Sequence, residues 1–390
     1  MLETLLLRKG VVRAACAAFL ITAACAAPGF GAALPAPGTT PTAASATHPL
    51  HDGLRMFFID VEGGQATLFV TPAGRSLLID TGWPGNAGRD ADRIVSAAQA
   101  AGLTRIDAVL ITHYHTDHVG GVPQLAARFP IGMFLDHGPD REFNDPATVA
   151  GWNAYQKLLS SGKYGHRIMR PGELLPGWNA PGAPRATVLS ADGVLIGNPL
   201  PGAGATNPFC GAADGKRPAD VPANDTTENA RSLGILIEWG KLRILDLGDL
   251  TWDKERPLVC PVNKVGKVDL LIVSHHGFEQ SSSPALVDAV APRVAIMDNG
   301  ARKGGSPRVL GVVAGAPSKP ALWQLHFSQE GGPAHNTEPA HIANLHDGEG
   351  DAANRIEATA TADGTITVKK TGTADAATVY RPSPLAAQPR

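Results

Sequence analysis

An excess of charge of either sign is missing from this 390-residue chain: 34 Lys and Arg face 36 Asp and Glu, for a formal net charge of −2. Near-neutrality gives no overall basic field of the kind that draws a protein to nucleic acid. Cysteine is scarce as well. Of the four present, Cys16 and Cys25 fall near the N-terminus, and neither Cys210 nor Cys260 sits in a C-x-x-C pattern. No G-x-S-x-G occurs, so the chain offers no nucleophile elbow for serine chemistry. No internal repeat stands out. A membrane-spanning helix needs about 20 apolar residues, and the apolar stretch Ala14 to Ala27 is stopped early by Pro28 and Gly29.

What that stretch does resemble is an export signal. Arg8, Lys9 and Arg13 precede it, and the small residues Gly31-Ala32-Ala33 offer a cleavage site. The expected organisation is a signal peptide over 1–33, a flexible Ala/Pro/Thr-rich spacer over 34–52, one domain over 53–370 and a disordered tail over 371–390. The protein is therefore expected to be periplasmic or secreted. Ile21-Thr22-Ala23-Ala24-Cys25 faintly resembles a lipoprotein cleavage box with Thr22 where Leu is usual, so lipidation at Cys25 is the minor alternative. In an oxidising compartment Cys210 and Cys260 can pair, closing a loop worth roughly 4 kcal/mol. Two buried thiols fit equally well.

Alternating apolar patterns predict strands over 54–61, 66–71 and 76–79, then a helix over 90–101 and a strand over 106–111. A short helix over 122–129 stops at Pro130, and a strand follows over 131–135. A helix over 149–159 and short strands over 186–190 and 194–196 come next. The Gly/Pro/Ala-rich segment Pro199 to Pro222 reads as a long loop. Strands over 233–239, 242–247, 268–273, 294–297 and 322–327 follow, with helices over 284–291 and 340–345. A terminal hairpin pairs 355–361 with 365–370. Strands in two halves with helices between them imply an α/β fold, an αββα sandwich.

The densest chemistry lies just after the fourth strand, in Thr112-His113-Tyr114-His115-Thr116-Asp117-His118-Val119-Gly120-Gly121. Alternate residues of an extended chain point the same way, so His113 and His115 can converge on one metal ion. Asp117 and His118 break the alternation and can face a second ion as the chain turns at Gly120-Gly121. Imidazole and carboxylate donors suit zinc, with manganese or iron as alternatives. With only 13 His in the chain, three imidazoles and one carboxylate in six positions point to a metal rather than to a polar surface loop.

Three further strand ends carry ligand types. Asp246-Leu247-Gly248-Asp249 presents Asp249 after a glycine that lets the backbone turn, whereas Asp246 alternates inside the strand. Ser274-His275-His276-Gly277 ends another strand, and Asp136-His137-Gly138 a third. Ligands of open α/β sheets gather outside strand ends, so these join the candidate list. His326 also ends a strand, and Trp83 follows Asp80-Thr81-Gly82 where it can line a substrate entrance.

The His113-to-His118 run resembles the H-x-H-x-D-H signature of the metallo-β-lactamase superfamily, and the likeness extends from about Met56 to Gly300. Phe58-Ile59-Asp60-Val61, Ile79-Asp80-Thr81-Gly82, Leu247-Gly248-Asp249, Ser274-His275-His276-Gly277 and Glu228 to Leu233 are similar to one branch. That branch is the hydrolase domain of the competence DNA-uptake channel protein, with its free-standing relatives. The resemblance implies an αββα fold and two divalent ions, most often zinc. His113 and His115 would hold the first ion; Asp117, His118 and one of His275 or His276 the second; Asp249 would bridge them. His137 is a further candidate ligand. Asp80 would orient a ligand, and Asp117 and Asp80 are the carboxylates expected to take part in catalysis. One departure is the turn Val61-Glu62-Gly63-Gly64-Gln65, which lacks the aspartate the branch usually carries there.

These readings together predict an exported binuclear metallohydrolase that uses a metal-bound hydroxide, with a phosphoester or phosphodiester as first substrate class. The alternative within enzymes is a thioester, lactone or β-lactam hydrolase. The alternative of another class is a non-catalytic metal-binding or redox module. The expected partner is a small-molecule or phosphoester substrate; the net charge does not favour nucleic acid, no transmembrane domain is expected in the mature chain, and the sequence does not define an oligomeric state.

Overall fold

A computed structural model describes residues 52–211, 217–219, 221–346, 353–374 and 376–382. The expected signal peptide and nearly all of the expected spacer lie outside the described residues. Two sheets dominate. The first runs, in spatial order, Thr378–Tyr380, Ile366–Lys370, Ile356–Ala360, Leu54–Phe58, Thr67–Val70, Ser76–Ile79, Ile106–Leu110, Ile131–Asp136 and Gly165–Ile168. The second runs Ile342–Asn344, Ala321–His326, Val294–Met297, Leu270–Ile272, Leu242–Asp246, Gly234–Trp239, Arg185–Ala191 and Val194–Leu195.

Period-2 alternation explains the layering. Leu54, Met56 and Phe58 face one way and pack with Leu77, Ile79, Leu110, Ile235, Ile244, Ile272 and Ile296 in the core shared by both sheets. Phe57, Leu68, Leu78 and Val109 face the other way, against the helices Arg89–Ala100, Val122–Ala126 and Pro146–Leu159. On the outer face of the second sheet, Leu236, Leu245 and Leu271 meet Leu258, Leu286 and Val287 from the helices Trp252–Val259 and Pro284–Val290. Fully burying one such side chain stabilises the fold by about 1.5–3 kcal/mol. The arrangement is the αββα sandwich read from the sequence.

Parallel pairing matters for the site. Ser76–Ile79, Ile106–Leu110 and Ile131–Asp136 run parallel to one another. So do Leu242–Asp246, Leu270–Ile272 and Val294–Met297. Their C-terminal ends therefore emerge at one rim of each sheet, which is where the ligand-type residues stand.

Several expectations need correction. Residues 340–345 do not form a helix: Pro339–His341 make a single 3-10 turn, and Ile342–Asn344 pair in parallel with Ala321–His326. The Asn344 amide donates to Leu325 O and Asn354 O, so cross-chain pairing overrides local helical preference. The tail is not disordered throughout. Thr378–Tyr380 pair with Ile366–Lys370, and the Trp323 indole donates to the Tyr380 hydroxyl at 3.0 Å. The helix expected from 149 begins at Pro146, capped by Asp145, whose carboxylate accepts from Thr148 N at 2.9 Å. Cys210 and Cys260 form a disulfide.

Candidate metal centre

The motif loop leaves the strand Ile106–Leu110 and folds at once into the short helix Thr116–Val119. Glycines make this turn possible. A Cβ on Gly64 would lie 2.4 Å from Asp117 O, and one on Gly248 would lie 2.9 Å from Thr112 Cβ. The facing loop is unusual too, because His275 and His276 both hold positive φ, at 56° and 53°. Non-glycine residues take that conformation rarely, and it clusters at functional sites.

Four ligand atoms converge from both sheets. Asp117 Oδ2 lies 3.3 Å from His118 Nε2 and 3.1 Å from His276 Nε2. Asp249 Oδ2 lies 3.2 Å from His118 Nε2 and 3.5 Å from His276 Nε2. All four residues are buried, and their ligand atoms lie within 4.8 Å of one another. A second group adjoins through Asp249: His113 Nε2 stands 3.1 Å from His115 Nδ1 and 3.8 Å from Asp249 Oδ2. His275 Nε2 approaches the same Asp249 oxygen at 3.4 Å.

Hydrogen bonds behind the ligands set their tautomers. Asp80, fully buried at φ 58°, accepts from Thr112 N at 2.8 Å and from the Thr112 hydroxyl at 2.6 Å. It also takes the His118 Nδ1–H at 2.7 Å, leaving the Nε2 lone pair for the cage. Glu142 plays the same part for His115, at 2.9 Å from Nε2, so that Nδ1 faces His113. Glu142 Oε2 also accepts from Glu228 N at 2.8 Å. Ser232 Oγ accepts from Asp249 N at 3.1 Å.

The electrostatics follow from burial and proximity. Burial opposes ionisation of Asp117, but His118 and Lys303 outweigh it and hold the carboxyl well below its usual range. Asp249 is likewise low, since His118, His275 and His276 outweigh burial. His118 is raised, with Asp249, Asp117 and Asp80 overcoming desolvation. Burial and neighbouring His118 push His113 well down. Behind the ligands, Asp246 is pushed up to about 7 by burial, and its Oδ2 accepts from the Gln65 amide at 2.7 Å. Gln65 closes the turn that lacks the expected aspartate. Asp298 is raised to about 7 by burial, with a smaller contribution from the Asp246 charge.

The donors fit a divalent cation. The Nε2 atoms of His118 and His276 lie 3.1 Å apart, a separation at which two lone pairs repel unless a cation or a proton lies between them. Asp249 Oδ1 is buried with no hydrogen-bond partner among the described residues. Two imidazoles and two carboxylates with such an orphan are the chemistry of a metal cage.

Not every candidate stands with the cage. His137 turns Nε2 to Glu228 at 3.0 Å, and both side chains are fully buried. It is absent from the four converging residues. His326 goes to Asp60, at 2.7 Å, in a separate group with Glu62. Arg93 already sits 3.0 Å from that Asp60 carboxylate, so a cation is in place there. Trp83 flanks the Lys303 ammonium, 5.2 Å from the ring centroid. Sequence reasoning passed over Lys303 and Glu142 entirely. Both sit on loops without a ligand motif, and no local pattern marks them.

The fold and the cage define an αββα protein with a site able to hold a metal ion. Residues 59–203 match the model of the metallo-beta-lactamase superfamily. Recombination protein 2 of Haemophilus influenzae is 25% identical over 244 residues, covering 62% of this chain and 24% of that protein. This agrees with the branch that the strand-end motifs resemble. A hydroxyacylglutathione hydrolase of Xanthomonas campestris is 39% identical over 75 residues, 19% of this chain and 26% of that one. The chain thus spans about a quarter of the length of these curated relatives. Among solved structures, a metallo hydrolase from Ignicoccus hospitalis has TM-score 0.39 and 11% identity, with 69% of this chain and 93% of that chain covered.

Proposed function

We propose that this chain is an exported, binuclear metal-dependent hydrolase acting on phosphoesters, with zinc in the cage. The observation that carries the reading is the convergence of Asp117, His118, Asp249 and His276 on one point, with His113 3.8 Å from the same Asp249 oxygen and His115 beside His113. Divalent ions held there would supply Lewis acidity and a water that ionises near neutral pH. The chain's own residues do the rest. Asp80 keeps the His118 proton on Nδ1, and Glu142 keeps the His115 proton on Nε2. Asp249, its amide tied to Ser232, reaches both halves of the ligand set. Burial of His113, His118, Asp117 and Asp249 excludes bulk water from the ligands and strengthens every charge interaction among them. The Cys210–Cys260 disulfide supports export, because such bonds persist in oxidising compartments.

The similarity to hydroxyacylglutathione hydrolases favours a second reading, hydrolysis of a thioester by the same cage. Metal analysis of the purified chain, with turnover of phosphodiesters, thioesters and β-lactams measured side by side, separates the two. Near two equivalents of divalent metal with phosphodiester turnover supports the first reading. A chain without bound metal or turnover overturns both.

A further inference from the structure

Lys303 reaches the cage from a loop whose path is fixed by glycine. A Cβ on Gly300 would lie 2.8 Å from the Glu62 carbonyl carbon, and one on Gly304 only 2.2 Å from His276 O. A Cβ on Gly63 would meet Lys303 Cβ at 2.8 Å. Gly300 N donates to Lys303 O at 2.8 Å, and Gly305 N to His276 O at 2.8 Å. The loop is wedged between the first turn of the domain and the His275-His276 turn, with no room for a longer residue at these places. The Lys303 side chain reaches the cage from this loop. The Lys303 ammonium donates to Gly63 O at 2.6 Å and to Asp117 Oδ2. Trp83 and Phe278 stand on it, with ring centroids at 5.2 and 5.5 Å. The side chain keeps 28% of its surface open, against 10% for Asp117.

We infer that Lys303, between the faces of Trp83 and Phe278, is the subsite for an anionic oxygen of the substrate, a phosphoryl oxygen first of all. This rests on the hydrolase reading and narrows its substrate class. An ammonium carries three donors; Gly63 O and Asp117 take two, which leaves one for a ligand. Divalent ions bound beside Asp117 would draw on the same carboxylate and leave a surplus of positive charge at this rim. A fixed cation next to that surplus selects a negatively charged group and disfavours a neutral acyl ester. The aromatic faces exclude water from the ammonium, which strengthens its attraction for an anion. A lysine that merely braced Asp117 would need neither an open side nor two aromatic walls.

The test uses the full chain loaded with zinc, with inorganic phosphate as the probe, in the wild type, Lys303→Met and Lys303→Arg. A charge-assisted hydrogen bond contributes about 1.5–3 kcal/mol, so Lys303→Met is expected to weaken phosphate binding tenfold or more. Calorimetry reads this at equal metal content, and Lys303→Arg is expected to recover most of the loss. The ratio of kcat/KM for bis(p-nitrophenyl) phosphate to that for p-nitrophenyl acetate falls in Lys303→Met alone. Equal phosphate affinity in wild type and Lys303→Met overturns the subsite. Should Lys303→Met not fold, Lys303→Gln carries the same comparison. The two readings fail separately. A wild type that binds phosphate through Lys303 without turning over any ester sinks the hydrolase and keeps the subsite. Turnover of neutral esters alone, with no phosphate affinity, sinks the subsite and keeps the hydrolase.

Discussion

Asp80 Oδ2 and His118 Nδ1 lie 2.7 Å apart, both fully buried, and this one contact fixes which nitrogen His118 offers to the cage. Neutralising this acceptor, and offering an amide donor in place of one oxygen, should let the ring flip or change tautomer. Asp80→Asn is expected to lower zinc affinity roughly 10–100-fold, the usual cost of losing an outer carboxylate partner. Competition titration against a zinc chelator reads the change. Wild-type affinity in the variant would remove Asp80 from the positioning role.

Asp249 touches both ligand groups, so its loss should be felt by both. Asp249→Asn is expected to drop the metal content by at least one equivalent and to abolish turnover. Elemental analysis after gel filtration decides. Full stoichiometry with an unchanged rate would count against a bridging role.

His137 faces Glu228 rather than the converging ligand atoms. His137→Ala should therefore keep the full metal content. It leaves the buried Glu228 carboxylate with only the Tyr114 and Arg141 backbone amides as partners from that contact set. Breaking a buried pair in this way costs roughly 3–5 kcal/mol. Unfolding in urea, alongside metal analysis, separates a ligand from a structural histidine.

Glu255 is buried behind the segment that follows the His275-His276 turn and is pushed up to about 7 by burial, although Ser282 N and Ser283 N donate to its carboxylate at 2.6 and 2.8 Å. Its folded pKa is above its unfolded value of 4.5, so the folded state binds the extra proton between those pH values. Stability from this group is full below about pH 4.5 and is lost as pH rises toward 7, by roughly 3 kcal/mol in all. Wild type and Glu255→Gln should draw together in thermal midpoint, or cross in favour of the variant, as pH rises from 4.5 to 7. A constant gap across that window would show that Glu255 does not titrate there.

The disulfide closes a separation of 50 residues. Reduction, or the double replacement Cys210→Ser with Cys260→Ser, is expected to lower stability by roughly 4 kcal/mol on the chain-entropy estimate. Urea unfolding with and without reductant measures it. No change would mean that the unfolded chain is already constrained there.

The layered fold was legible because several of its strands are buried on both faces and carry apolar runs, such as Leu77 to Ile79 and Val294–Met297. The ligand candidates were legible because they sit at strand ends in clusters. What stayed hidden depends on contacts far along the chain. Lys303 reaches Asp117 across 186 positions, and Glu142 meets Glu228 across 86. Neither pairing leaves a local pattern. Ile342–Asn344 looked helical because a three-residue strand shows too little alternation to declare itself, and its parallel neighbour decides its conformation. Trp252–Val259 and Pro307–Gly315 escaped notice because internal Pro257 and two glycines blur their helical signal.

The cage draws Asp117 and His118 from the rim of one sheet and Asp249 and His276 from the rim of the other. Each sheet supplies two of the four converging donors. During synthesis the N-terminal half emerges first with its imidazoles exposed and must wait for more than a hundred further residues before the set closes. Closure of the four-residue set is therefore a late event in folding, and a chain cut short before residue 276 lacks one of its donors.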